Sequence, residues 1–99
     1  MVNKVIEEML LKYGEDSQID VAIEEMSELI KELIKYKRSK IHSREKEMAS
    51  REHVVEEFGD VVFMFEYLRK IFNISQEEVY NIICQKAART KQRYLDEEK

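Results

Sequence analysis

Four carboxylates stand at helical spacing where a small helical chain normally places apolar side chains. Glu25 and Glu28 lie in the run IEEMSELI, Glu57 and Asp60 in the run VEEFGDVV, and Glu24 sits beside the first pair. Each pair is spaced i, i+3, so on a helix both acids leave the same side. Glu57 falls in the middle of an apolar stripe formed by Val54, Val61, Met64 and Leu68. A carboxylate there is costly to bury unless a cation or a hydrogen-bond network compensates it. Two such pairs facing each other make an all-oxygen site suited to a hard divalent ion. Magnesium fits best, because it favours oxygen ligands, keeps several waters and bridges to phosphate oxygens. A di-iron carboxylate bundle is disfavoured, since that design wants a Glu-x-x-His from each of two helices.

The elements that must carry these acids are four helices. Residues 2–13 place Val2, Val5, Ile6, Met9, Leu10 and Tyr13 at helical spacing, and Gly14 is a terminator. Asp16 or Ser17 is expected to cap a second helix running to about Arg38. Its stripe of Ile19, Ile23, Met26, Ile30 and Leu33 alternates steps of four and three. On the helical wheel Glu25 borders this face near Ala22, Leu29 and Tyr36. Residues 39–50 are polar and aperiodic and read as a loop. A third helix spans roughly 51–72, with Asn73 ending it. Ser75 and Glu78 form a capping box for a fourth, roughly 76–95. The expected fold is all-α, a four-helix bundle-like protomer with helices two and three at its centre. If those two pack antiparallel, the four carboxylates converge near one point.

Composition agrees with one small helical domain spanning residues 1–99. The chain has 99 residues, no proline and two glycines, which disfavours sheet and turn architectures. Its 43% hydrophobic content argues against disorder, and its 38% charged content suits helices solvated on one face. A net charge of −4 argues against a nucleic-acid binder, whose affinity rests on neutralising phosphates. No apolar run approaches the roughly 20 residues of a membrane span. The lone Cys84 permits no intrachain disulfide, and no signal-peptide core is visible, so a cytoplasmic location is expected.

The alternative to a metal site is that these acids are solvated and paired with Lys31, Lys35 and Arg69. That reading suits Glu24, Glu32, Glu56 and Glu66. It is poor for Glu57, because no rotation of its helix exposes Glu57 without also exposing the aliphatic residues around it.

EEMSE followed by EFGD resembles the EExxE…ExxD signature of the all-alpha nucleotide pyrophosphohydrolases, the MazG-like superfamily. The segment YGEDSQIDVAIEEMSELIKELIKYKR is similar to the entry helix of its short members. KAARTKQRY is similar to the basic helix that closes their nucleotide site. The resemblance covers residues 13–94. It implies metal ligands at Glu25, Glu28, Glu57 and Asp60, and a part for Glu24 in holding or activating the attacking water. It also implies magnesium, with manganese as a substitute, and a homodimer or homotetramer. The 28 residues between Glu28 and Glu57 are at the long end for the family. In the branch similar to dCTP pyrophosphatases, an Asp and an Asn stand where this chain has Ala88 and Thr90, which leaves the substrate open.

The fourth helix begins apolar with Val79, Ile82 and Ile83, and the same face then becomes Lys86, Thr90 and Arg93, flanked by Arg89 and Lys91. Such a stripe suits either anion binding or simple complementarity to the helix dipole. The resemblance favours triphosphate binding by Lys86 and Arg93, with Arg89 or Lys91 assisting. Gln18 either hydrogen-bonds a base or ribose or merely belongs to a helix start. His42 and His53 read as solvated, Tyr67 as core and Cys84 as a small core residue. No glycine-rich phosphate loop is present. The expected activity is therefore magnesium-dependent cleavage of a (d)NTP to the (d)NMP and pyrophosphate. A phosphoribosyl-ATP pyrophosphohydrolase and a non-catalytic helical interaction module are the alternatives.

Overall fold

Helix α1 (Val2–Tyr13) stops at Gly14, whose φ of 87° is open to glycine at little cost. α2 (Glu15–Ser39) starts immediately afterwards, with no side-chain cap, so neither Asp16 nor Ser17 serves as one. The computed structural model describes residues 1–96, and its remaining elements are α3 (Arg44–Ile71), α4 (Gln76–Thr90) and a π-helical segment, Lys91–Leu95. The chain is all-α over the described residues.

Helices α2 and α3 form a long antiparallel hairpin, the dominant packing in the molecule. Beyond Met26, Glu28 is half-buried at the edge of α2, and Leu29, Glu32, Tyr36 and Ser39 are the other buried or half-buried residues. These continue a 4/3 alternation from Gln18, Ala22 and Glu25. The matching covered stripe on α3 is Glu47, Ser50, Val54, Glu57, Val61, Met64 and Leu68. A repeat of 3.5 residues is the signature of two helices wound about one another.

This seam corrects the stripe read from sequence. Ile23, Ile30 and Leu33 are 54%, 60% and 45% exposed, so the most apolar side of α2 faces outward. Glu32, expected to be solvated, is buried instead. The open end of the hairpin is its apolar part. There Ile6 of α1 is enclosed with Ala22, Met64 and Tyr67, and Met9, Leu10, Val21, Met26 and Leu68 pack around them. Lys70 donates to Glu7 at 2.8 Å and ties α1 to the end of α3, holding the Glu7 carboxyl below its ordinary pKa.

The turn end of the hairpin is polar. Tyr36 donates to Glu47 at 3.3 Å, and Ser39 donates to the Tyr36 carbonyl at 2.7 Å. Residues 44–50, expected to be loop, are the first two turns of α3. Ser43 accepts from the Lys46 amide at 3.1 Å, a cap that shortens the connection to residues 40–43. The acids and lysines that hide periodicity in this stretch are good helix formers that need no apolar face.

At the other end of α3, Asn73 adopts a φ of 52°, and the Arg69 guanidinium donates to the Ile74 carbonyl at 3.3 Å. Ser75 caps α4 by accepting from the Glu78 amide, as its spacing with Glu78 predicts. α4 then diverges from α3, and none of its residues is buried. Cys84, expected in the core, is exposed. A single chain therefore does not close a four-helix bundle. Its radius of gyration is 17.7 Å, against about 13 Å for a compact chain of this length.

The cap at Ser43 can be tested. Ser43→Ala is expected to cost about 1 kcal/mol, lowering the melting temperature by roughly 4–8 °C for a domain of this size. Faster amide exchange should be confined to the start of α3, and unchanged exchange there would contradict the assigned helix boundary.

Candidate metal centre

The hairpin register sets Glu25 of α2 opposite Glu57 and Asp60 of α3. One carboxylate oxygen from each lies within 4.8 Å of the others. Glu25 and Glu57 are half-buried, and Asp60 is at the exposed edge. Glu25 and Glu57 each keep one oxygen, Oε2, shut off from solvent and without a hydrogen-bond partner. A cavity of about 150 Å³ beside them is lined by Val21, Glu25, Asp60, Phe63 and Met64. It is large enough for an ion with coordinated water, since one water takes up about 30 Å³ of liquid volume.

Shielding from water raises the Glu57 pKa above its usual 4.5. The Glu25 carboxyl beside it, and the negative charges of Asp60 and Glu28, push it the same way. Ionised carboxylate oxygens only accept, so the two enclosed ones could be satisfied by a proton or a metal ion. The donor set is all carboxylate, which suits a hard divalent ion.

The other sequence-derived residues are placed differently. Glu28 is half-buried near the trio and is held by Lys31 at 3.6 Å. Glu24 is exposed, next to Glu25 in the chain but outside the group that converges. Gln18 is buried at the apolar end of the hairpin. It lies seven residues from Glu25, about 10 Å along α2. Lys86 and Arg89 on α4, with Lys91 and Arg93 on the π-helical segment, are exposed and not packed on α2. His42 and His53 are exposed, and Tyr67 is buried, which raises its pKa.

Glu32 is the residue that sequence reasoning missed. It lies on the same seam, two turns beyond Glu25, with one oxygen 3.7 Å from Lys35 and the other enclosed without a partner. The 3.5-residue repeat, followed regardless of polarity from Ala22 through Glu25 and Leu29, would have found it.

Comparison of the chain with protein-family models, curated proteins and solved structures returns no match. Among the described residues no helix is long and apolar enough to cross a membrane.

The raised Glu57 pKa fixes the sign of a pH effect. A carboxyl that holds its proton more tightly folded than unfolded favours folding at pH below 4.5. That contribution is lost as pH rises through the folded value. The metal-free protein is therefore expected to lose stability across this window, and Glu57→Gln to flatten the slope and melt higher at pH 7. Millimolar magnesium should raise the wild-type melting point at pH 7 and leave Glu57→Gln nearly unaffected, because a ligand bound only by the folded state stabilises it. Equal shifts in both proteins would exclude Glu57 as a ligand.

Proposed function

We propose that this protein is a magnesium-dependent nucleoside triphosphate pyrophosphohydrolase that cleaves a (d)NTP to the (d)NMP and pyrophosphate. The observation carrying this reading is the convergence of Glu25, Glu57 and Asp60 beside a small cavity, with two enclosed carboxylate oxygens lacking partners. The resemblance of EEMSE and EFGD to the MazG-like signature supplies the substrate class, and manganese is the expected substitute for magnesium.

In this mechanism Glu25, Glu57 and Asp60 would hold the ion, with Glu28 as the fourth carboxylate of the set. A divalent ion bound there supplies positive charge to the triphosphate oxygens. Glu24, on the solvent side of α2, takes a proton from water as general base. The water oxygen bonds to the α-phosphorus, the bond from that phosphorus to the oxygen bridging it to the β-phosphorus breaks, and pyrophosphate leaves with the electron pair. Lys86 and Arg93, assisted by Arg89 and Lys91, stabilise charge on the leaving group. Gln18 is the residue assigned to the base or ribose, and it is buried in the single chain. The working assembly is a homodimer or homotetramer in the cytoplasm.

The test is incubation with each (d)NTP and magnesium, followed by separation of products. Equimolar monophosphate and pyrophosphate are expected, with Glu57→Gln lowering turnover on the order of a hundredfold or more. Release of orthophosphate, or turnover indifferent to Glu57→Gln, would reject the mechanism. Cleavage confined to phosphoribosyl-ATP would identify that hydrolase instead, and binding without turnover would identify an interaction module.

A further inference from the structure

The turn end of the hairpin is basic in a chain that is acidic as a whole. There are 17 basic and 21 acidic residues in all. Residues 35–46, which span the end of α2, the connection and the start of α3, hold Lys35, Lys37, Arg38, Lys40, Arg44 and Lys46 against Glu45 alone. The seam explains why these cations are not neutralised. The nearby acids face inward, Glu47 to accept from Tyr36 and Glu32 into a buried position. Among the described residues only Lys35 of the six is in an ion pair, with Glu32 at 3.7 Å. Lys40 lies over the Tyr36 ring, 5.4 Å from its centroid.

Helix energetics account for part of this cluster. Lys37 and Arg38 are in the last turn of α2, where cations complement the dipole. Arg44 and Lys46 are in the first turn of α3, the end at which a cation is disfavoured. Between the two groups stands Ile41, 81% exposed. Its amide donates to the Arg38 carbonyl at 3.3 Å, and the His42 amide to the Ser39 carbonyl at 3.1 Å. The turn is therefore fixed by its own backbone, with the aliphatic side chain at its apex left bare.

A partner for this tip must be anionic and must accept an aliphatic side chain. Two helices side by side, with axes roughly 8–10 Å apart, are about 20 Å across. That is too broad for a major groove about 12 Å wide, which admits one helix. Unstacked bases want an aromatic face. Tyr36, the one Phe, Tyr or Trp of the tip, is half-buried with its hydroxyl given to Glu47. A bilayer makes neither demand. Its anionic headgroups attract clustered Lys and Arg, its acyl boundary takes up apolar side chains, and the two signals together attach a protein where either alone is marginal.

We propose that the tip of the α2–α3 hairpin docks on an anionic lipid bilayer, with Lys37, Arg38, Lys40, Arg44 and Lys46 among the headgroups and Ile41 in the acyl boundary. Glu25 lies about 20 Å back along α2 from Ser39. The carboxylate centre thus stays clear of the surface, and the docking is independent of the chemistry proposed there.

The chain has no tryptophan, so Ile41→Trp places a single fluorophore at the apex. The test uses phosphatidylcholine vesicles with and without about a third phosphatidylglycerol. Wild-type protein is expected to co-sediment with the anionic vesicles only and to be released by about 1 M salt. On the same vesicles the emission of Ile41→Trp should move to shorter wavelength. Arg44→Gln/Lys46→Gln should weaken binding roughly twenty-five-fold, since each cation near an anionic surface contributes about fivefold. Lys4→Gln/Lys12→Gln on α1 removes the same charge and should leave binding unchanged. Absence of binding to anionic vesicles overturns the proposal. So does an equal loss in the two double variants, which would make net charge and not the tip responsible. Unshifted emission from bound Ile41→Trp also rejects it, because the apex then stays in water. Binding to duplex or single-stranded DNA without binding to vesicles assigns the tip to nucleic acid instead. If circular dichroism shows that Arg44→Gln/Lys46→Gln loses helix, Lys37→Gln/Arg38→Gln on α2 takes its place with the same expected loss.

Discussion

The hairpin of α2 and α3 must pack through a seam that contains carboxylates. Glu25 meets Glu57 and Asp60 across it, and Glu32 is enclosed further along. Like charges brought together and partly shielded from water oppose the contact that creates them. Everything else in the chain is arranged around that cost. The apolar end of the hairpin, with Ala22, Met64 and Tyr67 closed over by Ile6 of α1, supplies the cohesion that the acidic middle withholds. The turn end holds by polar means, through Ser43 as a cap, the bond from Tyr36 to Glu47, and a short connection.

The same constraint explains why the most apolar face of α2 points away from α3. A helix has one side for its neighbour, and here that side is given to the acids. The aliphatic stripe of Ile23, Ile30 and Leu33 is left outside, where it is useful only if something covers it. α4 has the same problem, because it leaves the hairpin at Asn73 and buries none of its residues. Site chemistry and assembly are in this sense one question. The face that carries function cannot also be the face that stabilises the fold.

Much of this was legible in the residues. The acid on an apolar stripe at Glu57, the Ser75–Glu78 capping box, Gly14 as a helix terminator and the four helices all rest on local spacing, and local spacing survives folding. The start of α3 was not legible, because Arg44–Ser50 is helical without an apolar periodicity and depends on the Ser43 cap. The α2 seam was misread for a related reason: hydrophobicity marks which side of a helix is buried somewhere, not which neighbour buries it. Glu32 and Cys84 follow from that choice, one covered by α3 and the other left bare on α4.

By itself, then, the chain determined its helices, their caps and the i, i+3 pairing of its acids, since each depends on residues within a turn or two of one another. Tertiary structure alone decided which acids meet. It joined Glu25 to Glu57 and Asp60, left Glu24 in solvent, set Gln18 two turns away in the core, and held the basic end of α4 away from all of them. The physical reason is register. Two helices with several possible stripes can pair in more than one way, and only the balance of packing over the full length of the hairpin selects the one that brings three carboxylates together.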